Sequence, residues 1–556
     1  AGSGKTRVLT YRIAHLIDEC GVNPWNILAI TFTNKAAGEM RERVDKIVGY
    51  GSESIWVSTF HSTCVRILRR YIDRLGYDRS FTIYDGDDQK TVIKEVCKKL
   101  NIDTKIYKER TLLSAISSAK DEMIGPKEYL LRSEGDYARQ RIAQVYEEYQ
   151  KRLRSNNALD FDDLLFKTVE LFKTDAEVLN YYQDRFKYIM VDEFQDINHL
   201  QYDIVRMLAK PRDNLFIVGD DDQSIYHFRG AKPEIMLNFT KDYPKAETVL
   251  LNINYRCTKN VLQAAMNVVD CNKKRFQKQL STPNEQGKPV RMMEFDNPRE
   301  EYMRVSAFLK KRLDAGEDLE DTAVLFRTNQ EAEGLVGALM EYQIPFTMKE
   351  QLPNLFRHWI SRNLMAYLEM AAGDRNRKTF LEIMNRPNRY IARDALTSAA
   401  VSFDALQEFY KDKDWMCDRI TTLETHLRIL STLAPYAAVN FIRKGMGYEQ
   451  YLMEYAQYRK IRPEELLEVL DRIQESTKGM KTLEEWQAYI EDYTKKLAEQ
   501  AKKQEKKREG IVVSTLHAVK GLEYDKVYIM NVNEGSIPYK KAVLEEALEE
   551  ERRLFY

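Results

Sequence analysis

Four short apolar segments in the first half of the chain each end directly in polar residues. They lie at residues 27–30, 56–57, 188–191 and 215–218. Longer segments with helical periodicity separate them. Because this alternation of buried strand, polar tip and helix is typical of an open parallel sheet, the sequence predicts an α/β fold with ligands at the carboxyl ends of the strands.

A second series of apolar segments follows at residues 248–251, 290–295, 323–326, 511–514 and 527–530. Two charged, helix-like stretches without a strong strand pattern interrupt the two series, at about 85–160 and about 356–509. The second stretch ends in a lysine–glutamate run, 495–509, which predicts a solvated helix. We therefore predict two α/β domains, 1–256 and 257–556, each with a largely helical insertion.

Composition narrows the class of protein. The 556 residues exceed the ~250–300 at which single cores stop growing, and 44% apolar residues exclude a wholly disordered chain. The 86 Lys+Arg cancel 86 Asp+Glu, so the overall basic charge of a simple nucleic-acid binder is missing, although a local basic stripe is not excluded.

Six cysteines without a C-x-x-C pair predict neither disulfides nor zinc and fit a reducing cytoplasm. No apolar run approaches the ~18–20 residues of a membrane span, so no membrane partner is expected.

The first residues carry a phosphate-binding pattern. Gly2-Ser3-Gly4-Lys5-Thr6 matches the end of G-x-x-x-x-G-K-[ST] and runs directly into a helix-like stretch. In such loops the glycines let backbone amides approach phosphate oxygens, the lysine reaches the β- and γ-phosphates, and the hydroxyl binds Mg²⁺. Since so short a pattern also arises by chance, it needs support from a second motif.

That second motif is a pair of carboxylates at the tip of a predicted buried strand. Asp192 and Glu193 directly follow residues 188–191. Phosphoryl transfer requires one acid to hold Mg²⁺ and another to orient or deprotonate the attacking water. Acid pairs are common on solvated helices, but with a phosphate loop in the same domain this position predicts hydrolysis of a nucleotide, with Asp192 on the metal and Glu193 on the water.

Aromatic residues beside polar and basic groups at strand tips predict a second kind of contact. The candidates are Phe32, Asn34, Tyr226, Phe228 and Arg229. Aromatic side chains can stack on bases without reading sequence, each worth ~1–3 kcal/mol, which suits single-stranded nucleic acid. Core packing is an equally good interpretation of Phe32. His61 is either a structural histidine or a contact to the DNA backbone.

Ordered motifs in both halves of the chain make the resemblance specific. They are GSGKT (2–6), TFTNKAAGEMRERV (31–44), STFHS (58–62), DFDDLL (160–165), VDEFQD (191–196), VGDDDQSIYHFRGA (218–231), NYRCT (254–258), STLHAVKGLEYDKV (514–527) and EEERRLFY (549–556). With these motifs the chain resembles the UvrD/Rep/PcrA-like DNA helicases of superfamily 1. The resemblance implies two RecA-like domains of the P-loop NTPase type, with ATP and Mg²⁺ as cofactors.

The resemblance also implies roles for single residues at the nucleotide. Residues Ala1, Gly2, Ser3, Gly4, Lys5, Thr6 and Arg7 form the ATP-binding loop. Thr6 and Asp192 hold Mg²⁺, and Glu193 is the catalytic carboxylate. Gln223 senses the γ-phosphate and couples it to DNA.

Further roles lie in the later motifs. Tyr255 stacks on adenine, opposite Arg7, and Arg256 reaches the γ-phosphate. Glu523 contacts the ribose, while Thr515 and His517 lie near DNA. These assignments follow from the resemblance alone.

As a whole the resemblance implies a DNA-dependent ATPase that moves along single-stranded DNA, 3′→5′, and unwinds duplexes in repair, replication or recombination. The implied partners are single-stranded DNA, single-strand/duplex junctions, and repair or replication proteins. The implied state is a monomer or weak dimer in the bacterial cytoplasm, associated with the nucleoid. Two alternatives stay open: a translocase that strips proteins from DNA or drives a helicase–nuclease complex, and a non-catalytic, ATP-gated DNA-binding or scaffold protein. Intact Asp192, Glu193 and Gln223 argue against the second.

The sequence departs from the family pattern in three places. Phe228 stands where most relatives carry tryptophan, so a stacking face is kept and the indole N–H is lost. Residues 349–362 lack the usual glycine pair and the acidic residue after it. The chain opens on Ala1 in mid-motif and stops at Tyr556 inside a motif, which is typical of a fragment truncated at both ends.

Overall fold

The chain folds into two compact units. The computed structural model describes residues 1–48, 54–104, 106–348, 354–459, 461–503 and 510–556, without the side chains of 496–503. The first unit comprises Ala1–Met293 and Asn533–Tyr556, and the second comprises Glu294–Val532. No described helix is both long enough and apolar enough to cross a membrane.

Strands and helices alternate as the sequence predicts. The strands β1 to β10 of the described residues are Ile27–Thr31, Trp56–Thr59, Thr82–Ile83, Ala158–Leu159, Tyr188–Val191, Leu215–Ile217, Thr322–Phe326, Phe346–Met348, Ile511–Thr515 and Lys526–Ile529. The helices α1 to α24 are Lys5–Asp18, Asn34–Val48, Phe60–Tyr71, Gly86–Lys99, Glu109–Asp121, Pro126–Leu131, Tyr137–Ser155, Phe161–Thr174, Ala176–Arg185, His199–Ala209, Pro233–Leu237, Phe239–Asp242, Lys259–Val269, Pro298–Asp314, Ala332–Glu341, Trp359–Ala371, Arg377–Ile383, Phe403–Phe409, Asp414–Leu430, Pro435–Asn440, Tyr448–Arg459, Pro463–Ser476, Leu483–Lys503 and Glu545–Phe555.

The first unit is built on a parallel sheet with the order β2-β1-β5-β6. Strand β1 is buried along its whole length, and its alternate residues pack on opposite faces. Leu28 and Ile30 join the core on one face, while Ile27 and Ala29 join the core on the other. Burial on both faces explains why the sequences of these strands are continuous apolar runs. Parallel pairing also brings the carboxyl ends of the strands to one edge.

Helices α4 to α7 form an insertion in this unit with a core of their own. That core includes Ile93, Ile116 and Val145. The insertion leaves and returns through the short parallel ladder of β3 and β4, in which Thr82 pairs with Ala158. The two ends of the helical segment are therefore held side by side.

A buried charge cluster fixes the insertion to helix α8. The Lys120 ammonium in α5 lies 2.6 Å from Asp160 Oδ2 and 2.9 Å from Asp163 Oδ1, and all three side chains are buried. The Tyr149 hydroxyl donates to Asp160 Oδ2 at 2.9 Å. Asp160 also caps α8, because its Oδ1 accepts from the Asp163 N–H at 2.8 Å. Buried charges of this kind are tolerated only when each one is paired.

The second unit repeats the plan. Its parallel sheet has the order β10-β7-β9-β8, and β7 and β9 are fully buried. Helices α16 to α23 lie between β8 and β9 in the chain, and their large core includes Trp486, Tyr367 and Tyr448. The buried Tyr448 hydroxyl donates to Asn363 Oδ1 at 2.9 Å, so its polar end is satisfied.

The predicted fold class, α/β with parallel sheets, is confirmed. The strands predicted at 248–251 and 290–295 are wrong. Val249 is 82% exposed and Met292 is 95% exposed, and neither segment pairs in a ladder within the described residues. An apolar run becomes a strand only where a neighbouring backbone is available to pair with it.

Two other segments named in the sequence analysis lie partly outside the described residues. Of the atypical stretch 349–362, residues 349–353 lie outside them, and the remainder leads into α16. Of the run 495–509, residues up to Lys503 are helical and residues 504–509 lie outside them. Strand β8, Phe346–Met348, was not predicted because it has only three residues.

We expect Lys120→Met to destabilise the first unit by about 3–5 kcal/mol, since it leaves the buried Asp160 and Asp163 without their cation. Urea unfolding monitored by circular dichroism measures the effect. Lys127→Met, at an exposed site on α6, is the matched control and should stay within ~0.5 kcal/mol of the parent protein. Equal unfolding midpoints for the two variants would show that the cluster does not hold the insertion.

Candidate nucleotide and DNA site

The phosphate loop at the start of α1 needs glycine at two positions. Gly2 and Gly4 have positive φ angles, 66° and 82°, and Gly4 is the N-cap of α1. A Cβ at Gly2 would lie 2.8 Å from Arg256 Cβ, so a side chain there is excluded by space as well as by conformation. The loop leaves backbone amides at a helix N-terminus, which is a favourable site for phosphate.

The carboxylate pair lies at the tip of β5, beside this loop. The Thr6 hydroxyl donates to Asp192 Oδ2 at 3.0 Å. Glu193 follows with a φ of 52°, a strained conformation for a residue with a side chain, and its N–H donates to Asp192 Oδ1 at 3.0 Å. The turn brings the Asp192 carboxylate to the hydroxyl of the phosphate loop, while the Glu193 carboxylate accepts from Gln195.

Burial, followed by the negative charge of Glu193, raises the pKa of Asp192 to about 6. The donor set at this point is one hydroxyl, on Thr6, and one carboxylate, on Asp192. In nucleotide sites Mg²⁺ binds a small number of hard oxygen donors from the protein, and phosphates and water complete its coordination shell. A divalent cation would also offset the repulsion that raises the Asp192 pKa, so these residues fit Mg²⁺.

Gln195 joins the tips of β5 and β6. Its Nε2 donates to Glu193 Oε2 at 2.6 Å, and its Oε1 accepts from the Asp220 N–H at 2.9 Å. Gln223 Nε2 in turn donates to Asp220 Oδ2 at 2.5 Å, and Lys5 Nζ lies 3.8 Å from the same oxygen. The structure thus brings the predicted Lys5, Glu193 and Gln223 into one hydrogen-bonded and ionic group.

The segment that precedes α13 is tied to the phosphate loop through Asn254. This buried side chain donates to the Ala1 carbonyl at 2.9 Å and accepts from the Arg256 N–H at 2.8 Å. The Tyr255 N–H donates to the Gly2 carbonyl at 3.0 Å. Tyr255 and Arg256 are therefore neighbours of the loop, and the Tyr255 ring is exposed. Their contacts with adenine and the γ-phosphate stay predictions. Asn254 was not among the predicted site residues, although it opens the NYRCT motif (254–258), which was a usable signal.

Helix α24 packs on the loop that follows Gln223. The His227 N–H donates to Glu550 Oε1 at 3.0 Å, and Arg553 Nε donates to the Ser224 carbonyl at 3.0 Å. The last sequence motif of the chain therefore supports the segment that carries Tyr226 and Phe228.

Three other predicted residues belong to the second unit. Thr515 is the last residue of β9, and its hydroxyl oxygen accepts from the Ala518 N–H at 3.4 Å. His517 lies in the short turn that follows, and Glu523 is exposed before β10. Their contacts with DNA and ribose stay predictions.

The aromatic candidates form one cluster on the first unit. The Phe32 and Tyr226 rings are stacked, with centroids 5.8 Å apart and an interplanar angle of 8°. Phe228 meets Tyr226 edge to face at 6.0 Å, and the Arg229 guanidinium lies 5.0 Å from the Tyr226 centroid. Phe228 is largely exposed, so a flat apolar face with a nearby cation is presented to solvent.

A groove of about 570 Å³ continues from this cluster. Its lining includes Phe32, Asn34, Thr59, His61, Arg66 and Phe161. Burial lowers the pKa of His61, so the ring is neutral near pH 7, and it lies 5.8 Å from the Phe161 ring. Phe161 was not among the predicted contacts, although it is 49% exposed and lies within the DFDDLL motif, which was a usable signal.

Comparison with known proteins agrees with this geometry. Residues 1–244 match the UvrD/REP helicase N-terminal domain, and residues 249–556 match the UvrD-like helicase C-terminal domain. The chain is 38% identical over 582 residues to the ATP-dependent DNA helicase PcrA of Bacillus subtilis (strain 168). It is 40% identical over 578 residues to the protein of the same name from Staphylococcus aureus (strain MRSA252). Each alignment covers the whole of this chain and 78% of the relative. The chain belongs to the UvrD-like DNA helicase family.

Proposed function

We propose that this protein is an ATP-dependent DNA helicase that couples hydrolysis to movement along single-stranded DNA in the 3′→5′ direction. One observation carries the proposal. The stretch from Asp220 to Arg229 begins beside Lys5 and Gln195, the residue that holds Glu193, and ends in the exposed aromatic cluster. A change at the nucleotide is thus passed along ten residues of one short segment to the surface that stacks on bases.

The nucleotide half of the mechanism follows from the loop and the tip of β5. The amides of residues 2–6 and the Lys5 ammonium bind the phosphates, while Tyr255 and Arg7 take the adenine ring between them. Thr6 and Asp192 hold Mg²⁺, which neutralises charge on the phosphates when bound. Glu193, held by Gln195, orients the attacking water and accepts its proton.

The coupling half depends on Gln223 and Arg256. Gln223 is held by Asp220 next to Lys5, where a γ-phosphate would compete for its amide. Arg256, fixed by Asn254 beside Gly2, supplies positive charge to the phosphate as bonds break. Glu523, Thr515 and His517 of the second unit are proposed to contact ribose and DNA.

On the DNA side, the stacked Phe32 and Tyr226, the exposed Phe228, and the groove with His61 and Phe161 receive successive bases. Asn34 and Arg229 supply polar and charged contacts to the backbone. Stacking is tolerant of sequence, so the preferred partners are single-stranded DNA and its junctions with duplex rather than particular base sequences. The phenylalanine at 228 retains this function without the indole N–H of a tryptophan.

Glu193→Gln should bind ATP but lower DNA-stimulated turnover by about 10²–10⁴-fold, because the amide keeps the side-chain size and cannot accept a proton. Phosphate release with saturating single-stranded DNA measures turnover, and a fluorescent ATP analogue measures binding. Lys5→Ala should lose ATP binding as well. Glu42→Gln, on the exposed face of α2, is the control and should match the parent protein. Near-normal hydrolysis by Glu193→Gln would remove that residue from the catalytic role.

Phe161→Ala should weaken binding of single-stranded DNA by ~1–3 kcal/mol, the worth of one stacked base. Fluorescence anisotropy with a labelled oligothymidylate measures the affinity. Tyr137→Ala removes an exposed ring from the start of α7, away from the groove lining, and should leave the affinity unchanged. If the two variants bind equally well, Phe161 does not contact DNA.

Strand displacement with 3′-tailed and 5′-tailed duplexes tests the direction of movement. We expect the full-length protein to unwind only the 3′-tailed duplex, and only with ATP. A blunt duplex is the control for loading at ends. Unwinding from a 5′ tail alone would refute the polarity, and absence of DNA-stimulated phosphate release would favour a non-catalytic DNA-binding protein.

A further inference from the structure

The loop after β6 carries three consecutive carboxylates that need compensation. Asp220, Asp221 and Asp222 are all buried, and their nearest oxygens lie within 4.8 Å of one another. Like charges this close in the interior repel strongly unless cations lie among them. The loop also carries Gln223, so the position of these acids bears on the nucleotide site.

Lys278 supplies the central cation. Its ammonium lies 2.7 Å from Asp220 Oδ1 and 2.8 Å from Asp222 Oδ2, and it also pairs with Asp221 Oδ1. The Lys278 side chain is only 7% exposed. The ammonium donates hydrogen bonds to Asp220 and Asp221 and forms an ion pair with Asp222. The acidic group is therefore filled by an ammonium rather than poised for a metal ion.

The residues before Lys278 reinforce this contact. Arg275 forms two parallel hydrogen bonds with Asp222, from Nε at 2.9 Å and from Nη2 at 2.7 Å. The Phe276 N–H donates to Asp221 Oδ2 at 2.8 Å. Paired arginine–carboxylate hydrogen bonds impose direction as well as attraction. Residues 275–278 consequently hold the acidic loop at several points.

Asp220 connects Lys278 to the nucleotide site. One of its oxygens accepts from Lys278, and the other accepts from Gln223 and faces Lys5. Burial alone would raise the pKa of Asp220, but the positive charges beside it, among them Lys278 and Lys5, hold it well below the usual value. Asp220 is therefore an anion shared between Lys278 and the two side chains that the mechanism assigns to the phosphates.

We propose that Lys278 is a positioning residue for ATP hydrolysis. By binding the Asp220 oxygen opposite the one that meets Gln223 and Lys5, it sets the position of Gln223 and leaves Lys5 available for phosphate. Without Lys278, the uncompensated carboxylate of Asp220 attracts Lys5 and Gln223 more strongly. Both side chains are then drawn away from ATP. The inference rests on the roles of Lys5 and Gln223 in the proposed function.

Lys278→Met tests the inference in the full-length protein, because it keeps the length of the side chain and removes the charge. We expect DNA-stimulated kcat to fall on the order of 10- to 100-fold, as displaced catalytic groups typically cause, and KM for ATP to rise. Lys278→Arg, which restores a cation, should recover most of the loss. Lys273→Met is the matched control, since its side chain is 80% exposed in the same segment, and it should match the parent protein. Parental kcat and KM in Lys278→Met would overturn the inference.

A second variant separates positioning from simple stability. The double substitution Asp221→Asn with Lys278→Met removes one acid together with the cation, so it should recover thermal stability lost by Lys278→Met. Asp220 still lacks its partner in the double variant, so KM for ATP should stay high while Tm recovers. Recovery of KM and kcat in step with Tm would overturn the inference and leave Lys278 a purely structural role.

Gln223→Ala, measured in parallel, distinguishes this inference from the proposed function. Loss of DNA stimulation in Gln223→Ala with parental behaviour in Lys278→Met would overturn the inference and leave the proposed function standing. Full DNA stimulation in Gln223→Ala would overturn the coupling role of Gln223. In that case the inference stands only if Lys278→Met still raises KM for ATP through Lys5.

Discussion

The candidate nucleotide site depends on the parallel pairing of β5 with β1 on one side and β6 on the other. Because parallel strands end at the same edge, Asp192 and Glu193 after β5 come within reach of Asp220 after β6, and Gln195 bridges them with both ends of its amide. The aromatic Phe32 follows β1 at the same edge and stacks on Tyr226. If the register of β5 slipped by one residue, the core and tip residues would exchange faces and this group would be lost.

Buried charge is the second constraint on the first unit. Two buried lysines neutralise acids that the fold has taken out of water: Lys120 with Asp160 and Asp163, and Lys278 with the three acids after β6. Such groups are a weak source of stability, because desolvation offsets most of the attraction. Their main effect is on geometry, because the charges of each group are all paired in only one relative position of the segments that carry them. The Lys120 group positions the helical insertion, and the Lys278 group positions the loop that is proposed to contact both ATP and DNA.

The balance of 86 basic and 86 acidic residues is consistent with a motor that must release DNA. A uniformly basic surface would bind DNA with an affinity that depends steeply on salt and would hold it too tightly for stepwise movement. In the described part of the first unit, the aromatic cluster has Arg229 over Tyr226, and the groove lining includes Arg66 with His61. In the proposed function base stacking carries the contact with DNA, so the charge balance of the whole chain gives little indication of the DNA partner.

The sequence by itself determined the α/β class, most strands of both sheets, the phosphate loop and the pair Asp192-Glu193, because each is a local pattern of apolar spacing or of adjacent residues. It failed at 248–251 and 290–295, where apolar runs have no pairing partner among the described residues, since pairing is a property of two segments. Only the tertiary structure revealed Asn254 beside the phosphate loop, Phe161 in the groove, and Lys278 among three carboxylates. Asn254 and Phe161 lie within sequence motifs, but their contacts involve residues distant in the chain. A lone lysine such as Lys278 acquires its role entirely from such residues, and contacts of that kind leave no spacing that a single sequence can show.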